Sequence, residues 1–148
     1  MTVKKLIQRK GNALWSVSTE SSVWQALETM EIHNIGAVLI LSPNGELKGI
    51  FSERDYARKG ILKGRVASQT NITEVMTENV ITVSLEDSLS NCMRIMTNKH
   101  IRHLPVQDEG KLVGMITIRD VVREIISDQH GKIQELEAYI QGSYGGGF

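Results

Sequence analysis

Cys92 is the only cysteine in the chain. Its solitude excludes an intramolecular disulfide and suits a reducing compartment. On the apolar side of a helix it reads as a small buried core residue rather than a nucleophile. Net charge is lacking too, since 17 basic residues balance 17 acidic ones. A general nucleic-acid binder needs an excess of positive charge to meet phosphates, so that class is set aside, while a local basic pocket stays open. Long hydrophobic runs are missing. The longest, Ala37 to Leu41, falls far short of the ~20 residues a bilayer-spanning helix needs. No apolar stretch follows Lys4 and Lys5 as it would in a signal peptide. These gaps point to a cytoplasmic protein that does not engage a membrane.

Signatures of chemistry are equally scarce. His33, His100 and His103 lack any His-x-x-His or Cys-x-x-Cys company, and zinc needs three or four convergent ligands, so no metal site is expected. No Ser-His-Asp or Cys-His arrangement stands out, and no glycine-rich phosphate loop is present. An enzyme is not expected.

What the chain does have is a duplication. Val17, Ser18, Glu20, Ser22, Met30 and Ile35 match Val83, Ser84, Glu86, Ser88, Met96 and Ile101 at one offset. After a turn shortened by one residue, Gly45, Leu47, Gly49, Arg54, Asp55, Arg58 and Ile61 match Gly110, Leu112, Gly114, Arg119, Asp120, Arg123 and Ile126. Two copies are too few for a solenoid. At roughly 65 residues each copy alone would be a marginal folder, so the two should bury apolar area against each other. The organisation expected is a first repeat with its linker over residues 1–70, and a second with a C-terminal helix and tail over 71–148. A paired architecture creates a cleft that both lobes line, and function is sought there.

Each repeat reads as strand, helix, strand, turn, strand, helix. Leu14 to Val17 makes a short strand. Val23, Ala26, Leu27 and Met30, with Leu89, Cys92, Met93 and Met96 in the second copy, recur at the three- and four-residue spacing of an amphipathic helix. The methionines read as core filler. Ala37 to Leu41 is a continuous branched apolar run, hence a buried strand. Ser42-Pro43-Asn44-Gly45 is a turn, and Leu47 to Phe51 returns beside it. A helix opens at Ser52 and carries Tyr56, Ala57 and Ile61. Lys63 to Asn71 is polar and reads as the linker. Ile125 to Ile140 extends as a helix with Ile133, Leu136 and Ile140 on one face, and Gly142 to Phe148 reads as a frayed tail.

The most pointed feature is Gly49-Ile50-Phe51-Ser52-Glu53-Arg54-Asp55 and its twin Gly114-Met115-Ile116-Thr117-Ile118-Arg119-Asp120. Ser-x-x-Asp and Thr-x-x-Asp before apolar helices can be capping boxes that only start two helices. The same geometry suits a nucleotide. A helix start presents free N–H groups and partial positive charge, and a carboxylate at its edge can accept both hydroxyls of a ribose. Gly49 and Gly114, in the strand just before, would let a ligand approach closely.

With these residues in view, the chain resembles a tandem pair of CBS domains, the nucleotide-sensing regulatory units also called Bateman modules. The pattern Gly-h-h-[Ser/Thr]-x-x-Asp in both repeats carries the resemblance. So do the entry segment Val75-Met76-Thr77 and the strand starts Asn34-Ile35-Gly36-Ala37-Val38 and Ile101-Arg102-His103-Leu104-Pro105-Val106. Ser52 to Arg58 and the tail Tyr139-Ile140-x-Gly142 look like the bacterial stand-alone CBS-pair proteins.

The resemblance implies an α+β fold of two βαββα repeats packed as a pseudo-twofold pair. It also implies an adenosine-containing ligand (AMP, ADP, ATP, NAD or S-adenosylmethionine) between the lobes. By match, Asp55 and Asp120 would hold the ribose, with Ser52, Thr117, Thr77 and the neighbouring Arg54 and Arg119 close by. Trp15 and Ser16, or Ile81 and Thr82, would bracket the base together with Ile35 and Ile101. Arg102 and His103 match positions where the family often places phosphate-binding side chains, whereas the first repeat has Gly36 and Ala37 there, so the two pockets should be unequal. Lys10-Gly11 stands where the second repeat has Met76-Thr77. The expected role is a regulatory sensor, a homodimer that signals to a partner the sequence does not name. The alternative is an interaction scaffold with vestigial pockets.

Overall fold

The computed structural model describes residues 1–144, with side chains described through Ile140; the Gly-rich stretch expected to fray, Gly142 to Phe148, lies outside the side chains described. Two three-stranded sheets carry the molecule. Strands β1 (Ser16–Ser18), β2 (Ala37–Leu41) and β3 (Leu47–Ser52) form one in that order. Strands β4 (Val83–Ser84), β5 (His103–Asp108) and β6 (Lys111–Thr117) form the other. In each, the first pair is parallel and the second antiparallel. The repeat extends to irregularities: the register slips between Ile40 and Leu41 in one sheet and between Val106 and Gln107 in the other, the same repeat position.

Helices α2 (Val23–His33) and α4 (Leu89–Lys99) follow the first strand of each lobe, each capped by a serine, Ser22 or Ser88, that accepts the N–H of the third helical residue. Both helices end on a left-handed residue, Asn34 and His100. Val23, Ala26 and Met30, and Leu89, Cys92 and Met96, are buried as the periodicity requires. Burial, with the nearby Asp87 charge, pushes the Cys92 thiol up to about 11, so it is an inert core residue. The apolar run at 37–41 is the central strand β2, with Ala37 to Ile40 wholly buried.

Several elements depart from the sequence expectations. The first strand sits at 16–18 rather than 14–17. Helix α1 (Val3–Lys10), capped by Thr2, was not anticipated. Its Val3 and Leu6 belong to the core of the second lobe, beside Val83, Leu104 and Ile116. Reciprocally, Ile72 and Val75, which open the second repeat, complete the first core beside Val38, Ile40 and Phe51. Packing therefore crosses the repeat boundary in both directions, which answers the small size of each lobe: each borrows the segment that opens the other.

The stretch 63–71 is likewise more than a tether. It contains a short 3-10 turn (Ala67–Gln69), and a bridge joins Ser22 to Asn71. The N–H of Val23 donates to the Thr70 carbonyl, and that of Ile72 to Ser21.

The two closing helices differ most. In the first lobe only Glu53–Asp55, α3, is α-helical; Tyr56–Gly60 widens into a π-turn and Ile61–Lys63 tightens to 3-10. In the second, α5 (Ile118–Tyr144) runs unbroken. Among the described residues no helix is long and apolar enough to cross a membrane.

Candidate functional site: the cleft between the lobes

Both Ser/Thr-x-x-Asp motifs form the caps that local chemistry predicts. The Ser52 N–H and hydroxyl reach Asp55 Oδ2 at 3.0 and 3.1 Å, and the Asp55 N–H returns to Ser52 Oγ at 3.2 Å. In the twin, the Thr117 N–H reaches Asp120 Oδ2 at 2.9 Å and the Asp120 N–H returns to Thr117 Oγ1 at 3.2 Å. The two carboxylates are thus fixed in equivalent positions at equivalent helix starts.

Their surroundings differ. Asp55 lies on a cleft of about 1240 Å³ that both lobes line. Its second oxygen, Oδ1, accepts the Thr77 hydroxyl at 3.1 Å and faces the Lys59 ammonium at 3.4 Å. Beside it are Gly36, Ser52, Arg54 and Arg58 from the first lobe, and Thr77, Ile81, Ile101, Arg102 and His103 from the second. Arg54, Arg58, Lys59, Lys99 and Arg102 make the rim strongly cationic against Glu53 and Asp55, although the whole chain is neutral. Cations of both lobes converging on one concavity suit a phosphorylated ligand.

Asp120 is engaged by the chain itself. Lys10, from α1, donates to Asp120 Oδ2 at 2.5 Å and to the Met115 carbonyl at 3.0 Å. Burial alone would raise the Asp120 carboxyl, but hydrogen bonds from Lys10 and Thr117 outweigh it and hold the group below its ordinary range. Sequence alignment put Lys10-Gly11 opposite Met76-Thr77. The packing agrees, since Lys59 and Thr77 approach Asp55 as Lys10 approaches Asp120, and Lys59 also reaches the Met76 carbonyl, at 3.4 Å.

The remaining nominated residues fall in three places. Trp15, at the edge of β1, is half-exposed and stacks on His33 at 3.5 Å between ring centroids, with the planes 11° apart; Ser16 pairs with Leu39 beside it. Ile35 lines a smaller adjoining pocket of about 420 Å³ with Gly36 and Glu53, whereas Ala37 is buried in β2. Thr82 stands just before β4, and Arg119 is exposed on the first turn of α5.

Two glycines do not serve as expected. A Cβ on Gly49 would meet Met76 Sδ at 2.5 Å and the Thr77 carbonyl at 3.0 Å, and one on Gly114 would meet Ile7 Cδ1 at 2.8 Å. The missing side chains admit the chain's own crossing segments rather than a ligand. The N–H groups of Ile50 and Thr77 exchange backbone bonds at 3.0 and 2.8 Å across that approach.

The lobes are tied at the seam. Arg54 donates across the cleft to the His100 carbonyl at 2.9 Å, and the His103 ring lies 3.6 Å from where a Gly36 Cβ would stand. Burial pushes His103 below its ordinary value, the Lys10 and Arg102 charges add to that, and Asp120 opposes it. Sequence reasoning missed Lys59 and Lys99. The first could have been found from its place four residues after Asp55, one helical turn along; the second closes α4 just before the nominated Ile101-Arg102-His103.

Comparison with known proteins agrees with this geometry. The family model for the CBS domain matches residues 5–60 and 72–127. The CBS domain-containing protein CBSX3, mitochondrial, of Arabidopsis thaliana is 38% identical over 97% of this chain and 73% of its own length. YhcV of Bacillus subtilis, also named a CBS domain-containing protein, is 31% identical over 77% of this chain and 80% of its own. The crystal structure of the CBS-domain containing protein ATU1752 from Agrobacterium tumefaciens superposes with a TM-score of 0.79 at 36% identity, covering 82% of this chain and 91% of that one. The CBS domain pair of MJ0100, solved in complex with 5′-methylthioadenosine and S-adenosyl-L-methionine, gives 0.74 at 26% identity, covering 86% and 98%. With a matched domain on each lobe and the interlobe cleft where the two meet, the chain belongs to the CBS family and is a CBS pair, a regulatory module.

Proposed function

We propose that this CBS pair is a non-enzymatic sensor that takes an adenine nucleotide (AMP, ADP, ATP or NAD) in the Asp55 half of its cleft and signals its presence to a partner protein. One observation carries the reading: a carboxylate fixed by a capping box stands in a two-lobed concavity whose rim is cationic. The carboxylate has the chemistry to accept ribose hydroxyls, while Arg102, Lys99 and Arg58 have the charge to meet phosphate. A ligand spanning Asp55 and Arg102 would touch both lobes at once. It would shift the population toward the lobe packing with which it makes more contacts. Arg54, already bonded to the His100 carbonyl, lies on the path by which such a shift would pass between lobes. The adenosine compounds bound by the MJ0100 pair support this choice of ligand class. The lone, buried Cys92 supports a reducing, cytoplasmic setting. The exposed Trp24 and Ile32 on α2 support assembly as a homodimer.

A second reading has its own observation. Both aspartates already satisfy helix starts, so capping alone accounts for their presence, and the module could be a scaffold with vestigial pockets. Calorimetric titration separates the two. We expect AMP, ATP or NAD to bind, and Arg102→Ala to weaken binding by about 1.5–3 kcal/mol, the scale of a hydrogen bond to a charged group. No heat with any adenine compound would leave the scaffold.

A further inference from the structure

Helix α5 carries two apolar faces, and only one belongs to its lobe. Ile118, Val121 and Ile125 pack on the second core. The next turns on that side present Asp128 and Lys132, paired at 3.4 Å in solvent, so the inward stripe ends at Ile125. The other stripe continues. Val122, Ile126, Ile133, Leu136 and Ile140 are all exposed, Leu136 by 60%. Ile126, Ile133 and Ile140 recur every seven residues, as do Val122, Gln129 and Leu136. That is the a/d seam of a coiled coil, with isoleucine at each a position and Val122, Gln129 and Leu136 at d; β-branched residues at a with leucine among the d positions favour two parallel strands. Gln129, at d, is the one polar residue in the seam, and its amide can both donate to and accept from its own copy. The flanks agree in charge: Lys132 at g would face Glu137 at e of a second copy, and the reverse pair repeats the contact. The Lys132–Asp128 pair it would replace is exposed and worth little. Between Val122 and Ile140 four acidic residues stand against two basic ones, which disfavours an anionic lipid surface.

We propose that Val122 to Ile140 of α5 forms a parallel two-stranded coiled coil with a second copy of this chain. The inference rests on the homodimer of the reading above and assigns α5, in addition to the exposed face of α2, as a surface that joins the two copies. Gln129→Cys in the full chain, mildly oxidised, should give a disulfide-linked dimer. Gly131→Cys, on the outer f position, should give none, and buried Cys92 should stay out of the reaction. Lys132→Glu alone and Glu137→Lys alone should each weaken the dimer, while their mixture should form a heterodimer in which both 132/137 pairs are again opposite in charge. A chain that is dimeric by light scattering but does not cross-link at position 129 overturns this seam and leaves the homodimer standing. A strict monomer at micromolar concentration overturns both. A Lys132→Glu dimer as tight as the unaltered one also overturns the parallel seam, since that pairing must set Lys132 beside Glu137 of the second copy.

Discussion

The Asp55 and Asp120 halves of the cleft start from the same frame and end in different states. Both aspartates close a capping box at the start of a helix. Both sheets carry the same bulge, and both α2 and α4 end on a left-handed residue. The difference lies in what arrives from outside the repeat. Asp55 receives a neutral hydroxyl from Thr77, while its own helix adds the more distant ammonium of Lys59, and it opens on a wide basic cleft. Asp120 receives the ammonium of Lys10 directly. A parallel change sits at the strand edge. Where the second repeat has Ile81 and Lys99 lining open space, the first has Trp15 and His33 stacked on each other. A purine ring seeking Trp15 would have to displace His33, and a ribose seeking Asp120 would compete with Lys10. Duplication supplied two frames; the crossing segments decided which of them stays open.

The largest effect expected from this contrast is on ligand response. A ligand that binds only the folded state raises the melting temperature by mass action. Asp55→Ala should abolish the rise produced by an adenine nucleotide, whereas Asp120→Ala should leave most of it, after each variant is compared with its own ligand-free baseline. Thermal scans with AMP, ATP and NAD measure this. Equal losses in the two variants would erase the distinction between the halves.

Much of this frame was legible in the sequence, because it rests on local rules. The buried strand at 37–41, the apolar faces of α2 and α4, and the two capping boxes follow from short-range patterning, and the duplication announced a shared cleft. What the sequence hid is long-range. Val3 and Leu6 lie ahead of the matched repeat positions and carry no local signal, yet they fill the second lobe. Gly49 and Gly114 look like places for a ligand because pattern alone cannot say that Met76 and Ile7 pass there. The break-up of the first closing helix into α, π and 3-10 turns has a visible partner in Gly60, whose Cβ would come within 3.0 Å of the Tyr56 ring, but the matching Arg58/Arg123 and Ile61/Ile126 gave no warning of it. The family resemblance carried the ligand class; residue spacing carried only the carboxylates.

The next effects concern the crossing segments themselves. Gly49→Ala drives a methyl into Met76 and the Thr77 backbone, which bridge to Ile50 and cannot retreat freely. A cost of about 1–3 kcal/mol is expected. Gly114→Ala meets only the end of the Ile7 side chain, which can turn aside, so it should cost less than half as much. Urea denaturation of the two variants gives the comparison directly, and an equal cost would mean that α1 holds its lobe as rigidly as 72–77 holds the other. Lys10→Thr, which installs at the Asp120 side the hydroxyl chemistry found beside Asp55, removes a half-buried ion pair. It should cost on the order of 1 kcal/mol in stability and add a second nucleotide-binding event in calorimetry. A stoichiometry unchanged from the parent would show that Lys10 does not hold the second half shut.

The smallest effect is a pH dependence that only one half of the cleft should show. His103 stands at the seam, against Gly36 of the first lobe and within the fields of Lys10, Arg102 and Asp120. Its value in the folded chain lies below the ordinary 6.5 because burial and the two cations disfavour the imidazolium. The unfolded chain therefore takes up a proton as pH falls through about 6.5, while the folded chain refuses it, so stability is complete above that value and declines below it. The decline levels off once the pH reaches the lowered folded value. Asp120 adds a separate loss further down, since its folded value lies below the ordinary 3.8 and its contribution fades only as pH falls below that value. Denaturation midpoints at pH 8, 6 and 5 should show the first decline in the parent chain and a flatter profile in His103→Gln. The equivalent position in the first repeat is Ala37, which cannot titrate, so the seam is pH-sensitive from one side only. A parent profile that rises toward pH 5, or a His103→Gln profile as steep as the parent's, would place the sensitivity elsewhere.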